Sequence, residues 1–129
     1  MFILCMAVAT NLHAIDDAQV SQSFTQSHIS GYVQVPHGKI YYETFKNGNT
    51  NHTPIIVLHG GAGKLDHTYL FPQMISLSNH NMVTFYDQRG TGKSLGFNLT
   101  SADINIDNYI SDLESLRSKL GYKQFVLMR

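Results

Sequence analysis

Apolar residues are spaced in three ways along the chain, and each spacing predicts a different element. Around Pro36-His37-Gly38, the residues Tyr32, Val33 and Val35 lie on one side and Ile40, Tyr41, Tyr42, Thr44 and Phe45 on the other. Two β-rich runs flanking a short Pro/Gly turn predict a hairpin. Structure is expected to begin near Gly31, because 15–30 is a polar stretch of Ser, Gln, Thr and Asp. Three later runs are continuously apolar: Pro54-Ile55-Ile56-Val57-Leu58, Met82-Val83-Thr84-Phe85-Tyr86, and Phe125-Val126-Leu127-Met128 at the end of a strand taken from Gln124. Unbroken runs of this length suit strands covered on both faces, as in a parallel sheet.

Between these runs the spacing becomes helical. Leu65, Tyr69, Leu70, Met74 and Leu77 predict a helix within 65–81, which Pro72 must begin or break. Ile106, Ile110, Leu113, Leu116 and Leu120 predict a second helix with one apolar face. Asn105 is placed to cap its start and Gly121 to close its end. A hairpin followed by β-α-β-α-β is an α/β arrangement, with parallel strands joined by right-handed crossovers. In such sheets chemistry gathers at the carboxyl ends of the strands, here His59, Asp87 and Arg129.

Composition narrows the classes. At 129 residues the chain suits one domain, with 43% hydrophobic and 14% charged residues. Its 9 Lys and Arg balance its 9 Asp and Glu, and no basic block is present, so nothing points to nucleic acid. The single cysteine, Cys5, allows no internal disulfide. The apolar run Phe2–Ala9, with Ala14 at a candidate cleavage site, meets part of a secretory-signal pattern but lacks a leading Lys or Arg. Residues 1–30 are therefore read as a candidate signal segment and polar arm, with export through 1–14 or a cytoplasmic location both open. The apolar run is too short to span a bilayer.

Two stretches carry candidate chemistry. His59-Gly60-Gly61-Ala62-Gly63 follows a buried strand directly. Glycines let the backbone turn sharply and let a substrate approach it. A free peptide N–H at such a turn can donate to an oxyanion, and losing one such donor typically costs ~10²–10³ in rate. The other stretch, Asp87-Gln88-Arg89-Gly90-Thr91-Gly92-Lys93-Ser94, ends like a phosphate-binding loop. That motif needs a glycine where Asp87 stands and a helix starting at the Lys-Ser pair. Leu95-Gly96-Phe97-Asn98 follows instead, so a phosphate-binding protein is an unfavoured alternative. His13, His28, His37, His52, His67 and His80 show no metal-ligand spacing and are expected at the surface. No cofactor or metal is expected.

In order, "PIIVLHGGAG", "DHTYLFP", "VTFYDQRGTGKS", "DLESLRSKLG" and "QFVLM" resemble the proline iminopeptidase family of α/β-hydrolases. "GYVQVPHGKIYYETF" is similar to that family's opening hairpin. The resemblance covers Gly31 to Met128 and implies that 31–129 is the N-terminal half of an α/β-hydrolase domain. It implies a serine-type aminopeptidase that releases N-terminal residues, proline preferred, from peptide substrates by acyl transfer. Gly61 would supply one oxyanion N–H, and His59 would shape the loop rather than catalyse. Gly60, Ala62 and Gly63 complete the turn, with Ala62 standing where the family has proline. Asp87 and Arg89 would pair across their own turn, with Gln88 and Gly90 completing the motif. The nucleophile, acid and base would lie beyond Arg129, because the family's G-x-S-x-G elbow follows the fifth strand. No catalytic side chain is therefore expected within the chain itself, and Ser94 lacks an elbow pattern. A non-catalytic remnant or interaction module, and another ester or amide hydrolase, are the alternatives. Phe125–Met128 would form an exposed apolar edge, which favours self-association.

Overall fold

The structure, a computed structural model, describes residues 28–47, 51–60, 65–98, 100 and 102–129. The apolar run, the candidate cleavage site and His13 lie outside the described residues, as do Gly61, Ala62 and Gly63.

Strands β1 (His28–Val35) and β2 (Gly38–Phe45) form the expected hairpin, paired antiparallel from His28 opposite Phe45 to Val35 opposite Gly38. The first strand starts three residues before Gly31, inside the stretch read as arm. Pro36 presets its φ for the first central position of the turn, and His37 takes a positive φ of 69° at the second. Strands β3 (Ile55–Val57), β4 (Val83–Tyr86) and β5 (Val126–Met128) follow in chain order. The sheet runs β1-β2-β4-β3-β5. β3 pairs in parallel with β4 and with β5, whereas β2 meets β4 antiparallel. The sheet is therefore mixed, and its parallel part is the β-α-β-α-β unit expected from the apolar runs.

Period-two alternation sends neighbouring residues of each strand to opposite faces. One face gathers Val33, Val35, Ile40, Tyr42, Ile56 and Tyr86 under a 15-residue helix (Ile106–Leu120), which contributes Leu113, Leu116 and Leu120. Asn105 caps this helix by accepting from the Asn108 N–H at 2.9 Å. Gly121, with φ 71°, closes it and donates back to its last turn. The apolar face is narrower than the spacing suggests. Leu116 is fully buried, but Ile106 and Ile110 are 69% and 58% exposed. Within the first half of the helix Asp112 is the buried position.

The opposite face gathers Phe45, Ile55, Val57, Val83 and Phe85 against Phe71 and Ile75. Phe71 stands edge-on to Phe85 and Phe45, at centroid distances of 4.8 and 5.4 Å. The single helix expected over 65–81 is three short pieces instead: a 3₁₀ turn (His67–Leu70), one α turn (Phe71–Met74) and a second 3₁₀ turn (Ile75–Asn79). Pro72 sits in the first turn of the α piece. There its missing N–H costs nothing, but its ring blocks a regular helix from continuing through it.

Candidate functional site: the carboxyl ends of the parallel strands

The strand register brings the ends of β3, β4 and β5 to one edge of the sheet. Val57 stands between Phe85 and Met128, and the Leu58 N–H donates to the Met128 carbonyl at 2.7 Å. His59, Asp87 and Arg129 therefore emerge close together. The Arg129 guanidinium lies beside Gly60, 3.6 Å from where a Cβ on that glycine would stand.

His59 is 2% exposed, and its ring is fully engaged. Its Nε2 accepts from the Gln88 backbone N–H at 3.0 Å, which fixes the proton on Nδ1, 3.0 Å from the Gly60 carbonyl. The Gln88 side chain donates to the His59 carbonyl, and Thr91 Oγ1 lies 3.2 Å from Nε2. A neutral imidazole thus ties the start of the glycine turn to the turn after β4. This geometry suits a scaffold role for His59, because neither ring nitrogen is free for proton transfer.

The turn after β4 wraps around a carboxylate. Asp87 is fully buried, and its Oδ2 accepts from the Lys93 N–H at 2.8 Å. Gly90 and Gly92 adopt positive φ of 72° and 47°, and a Cβ on Gly92 would collide with the Asp87 carboxylate. A phosphate-binding loop turns its amides toward an external anion. Here the Lys93 amide of the Gly-Lys-Ser stretch is committed to an internal one. Ser94 is also internal, its Oγ donating to the Asp87 carbonyl and accepting from the Tyr41 N–H.

Asp87 and Arg89 do not pair with each other, contrary to expectation. Arg89 makes a bidentate pair with Asp112 of the long helix, at 2.8 and 2.7 Å, and its guanidinium lies over the Phe97 ring. Asp87 reaches the opposite face and binds His67 twice. Its Oδ1 lies 2.6 Å from His67 Nδ1 and accepts from the His67 backbone N–H at 2.9 Å. Asp87 directly follows β4, whereas Arg89 already lies in the turn beyond it, so strand alternation no longer relates them and each charge finds its partner in a different layer.

His67 corrects a second expectation. Its spacing places it with the surface histidines, yet it is 1% exposed. Its Nε2 faces Glu43 Oε1 at 3.6 Å. That distance exceeds a hydrogen bond, so the contact is one of charge. Glu43 Oε1 accepts from the Tyr41 hydroxyl at 2.5 Å, and Lys93 Nζ stands 3.4 Å from the same oxygen. Burial opposes charge on the His67 ring, but the adjoining carboxylates of Asp87 and Glu43 outweigh it and raise its pKa to about 9. The His67 ring is the largest influence on Glu43, which is lowered to about 2 against the opposing effect of burial. Asp87 is likewise lowered, because its bonds to His67 and Lys93 overcome desolvation. Three acid and imidazole groups meet here, but the two carboxylates approach opposite nitrogens of one ring and share no common point. Among the described residues no His/Cys/Asp/Glu group could hold a metal ion. Sequence spacing held one clue to His67: it immediately follows Asp66, whose side chain caps the 3₁₀ turn by accepting from the Thr68 N–H.

A proline iminopeptidase of Saccharolobus solfataricus is 38% identical over 100 residues, covering 76% of this chain and 31% of that protein. The proline iminopeptidase of Heyndrickxia coagulans is 30% identical over 94 residues, with coverage of 73% and 31%. Over this stretch the chain is homologous to the proline iminopeptidases. The match lies in the N-terminal part of those relatives, and the chain spans about a third of their length. Among solved structures, a proline iminopeptidase-related protein of Thermus thermophilus superimposes with a TM-score of 0.68 at 27% identity, covering 78% of this chain and 35% of that one. The fold is a partial α/β-hydrolase fold. No family model matches the chain.

Proposed function

We propose that residues 31–129 form the N-terminal half of a serine-type α/β-hydrolase that removes N-terminal residues, proline preferred, from peptides. The supporting observation is that His59 and Gly60, which lead into the glycine stretch, stand beside the tip of β5 through the Val57–Met128 register. In the reaction a serine oxygen attacks the substrate carbonyl while a histidine takes its proton. The C–N bond then breaks as the amine receives that proton, and water hydrolyses the resulting ester. The Gly61 N–H would stabilise the oxyanion, with His59 and Gln88 holding the turn in place. The attacking serine, the histidine and its orienting aspartate belong, on this reading, to the part of the polypeptide corresponding to the relatives' unmatched two thirds.

The reading frame downstream of Arg129 tests this directly. A G-x-S-x-G elbow is expected within a few residues of the β5 tip, and the extended product should cleave a proline arylamide. Absence of the elbow from every nearby frame would sink the proposal.

A second reading has one observation in its favour. The Arg129 guanidinium stands against Gly60, where an elbow would need a small residue. A chain with arginine there suits a non-catalytic remnant, which would show no turnover of the arylamide in any extended form.

A further inference from the structure

The buried charges around His67 fall outside the acyl-transfer reading, and their arrangement has a consequence of its own. Among the described residues, several elements present a defined group to this ring. Asp87, at the end of β4, meets Nδ1, and Glu43 of β2 faces Nε2. The Tyr41 ring, also of β2, lies 5.7 Å away and the Phe71 ring 5.3 Å away, centroid to centroid. Lys93, from the turn after β4, reaches Glu43, and His28 of β1 stands 3.9 Å from the other Glu43 oxygen. A neutral imidazole has one N–H and one bare lone pair. Whichever nitrogen lost its proton would aim that lone pair at a buried carboxylate. The imidazolium presents a proton to each carboxylate, and with Lys93 it balances the two negative charges.

His67 also sits at a mechanical junction. It opens the 3₁₀ turn His67–Leu70, and two positions later the Tyr69 hydroxyl accepts from the Gly60 N–H at 2.8 Å. This one short turn therefore grips the sheet through His67 and the start of the glycine turn through Tyr69. Its four residues have little helical stability of their own, so its position depends on these contacts, on the His67 N–H bond to Asp87 and on Leu70 and Phe71 packed at the core.

We propose that His67 is a proton-dependent latch that, while doubly protonated, holds the 3₁₀ turn His67–Leu70 against the sheet, and with it the Tyr69 contact to Gly60, and loosens that turn on deprotonation. The latch operates whether or not Gly61 serves as an oxyanion donor. The ring, its pKa raised to about 9 in the folded chain, loses its second proton through that pH. Below about 6.5 the clamp is at full strength. Above about 6.5, the ring's ordinary value, the closed state weakens by roughly tenfold per pH unit until the folded value is reached.

The full chain, labelled with ¹⁵N-histidine, tests this by NMR. At pH 7.5 both His67 ring nitrogens should carry protons, and their resonances should titrate near pH 9. Glu43→Gln should lower that midpoint by about one unit or more. Amide exchange over residues 58–60 and 67–70, corrected for base catalysis, should rise at least about tenfold between pH 7 and 9.5 relative to the rest of the sheet. His67→Gln keeps a donor for Asp87 without the charge and should abolish this rise. A neutral His67 ring at pH 7.5, or exchange over 58–60 and 67–70 that ignores pH in the unaltered chain, would overturn the latch. Those two measurements decide the matter even if His67→Gln fails to fold.

Discussion

Single residues carry the two features that local pattern hid most completely. Asp87 and Arg89 stand two positions apart and invite pairing, yet they bind His67 and Asp112, 20 and 23 positions away on opposite faces of the sheet. Local spacing could not reveal those partners, because only tertiary packing brings them together. The Arg89–Asp112 pair is buried and bidentate, so removing one member leaves an unpaired charge in a dry site. Arg89→Ala should destabilise the fold by about 3–5 kcal/mol in a urea titration. Arg89→Lys should recover only part of that loss, since an ammonium cannot reproduce the two-pronged bond. Full recovery by lysine would show that charge alone, rather than geometry, holds the pair.

Elements were more legible than residues. Apolar runs marked β3, β4 and β5, the Pro36–Gly38 turn marked the hairpin, and Asn105 and Gly121 bracketed the long helix. Two readings needed revision at this scale. The segment around Pro72 broke into three short turns, and two of the five residues on the long helix's apolar face, Ile106 and Ile110, remained in solvent. Helical spacing reports which residues share a face, but what packs against that face decides how far it is covered. The helix therefore offers a paired prediction. Leu116→Ala, in the core, should cost about 2–5 kcal/mol. Ile110→Gln, on the same expected face, should change stability by no more than about 0.5 kcal/mol. Equal effects in chemical denaturation would contradict that difference in burial.

Whole-molecule behaviour follows from the buried charges and the open sheet edge. Glu43 is lowered to about 2 and Asp87 is lowered as well. Their contribution is present above the ordinary carboxylate range near ~4 and disappears as pH falls through the folded values. His67 is raised to about 9, so its contribution is complete below about 6.5 and disappears as pH rises through the folded value. Urea midpoints should therefore be highest near about pH 5–6.5 and lower at both about pH 3 and about pH 9.5. A midpoint that keeps rising on the alkaline side of neutrality would contradict the charged cluster. At the edge of the sheet, Val126 and Leu127 of β5 are 45% and 46% exposed. An uncharged strand with an open edge is a template for association. Leu127→Lys should lower the concentration-dependent light scattering of the chain while leaving its far-UV circular dichroism unchanged.

Sequence by itself determined the order of elements, the parallel character of β3, β4 and β5, and the strand ends where a site would form. Those properties depend on local periodicity and on the conformational limits of glycine and proline, which are written residue by residue. Tertiary structure alone decided which charges meet, which histidine is buried, and how far the long helix is covered. Those outcomes depend on where distant segments come to lie relative to one another, and a buried charge takes its pKa and its worth from that neighbourhood.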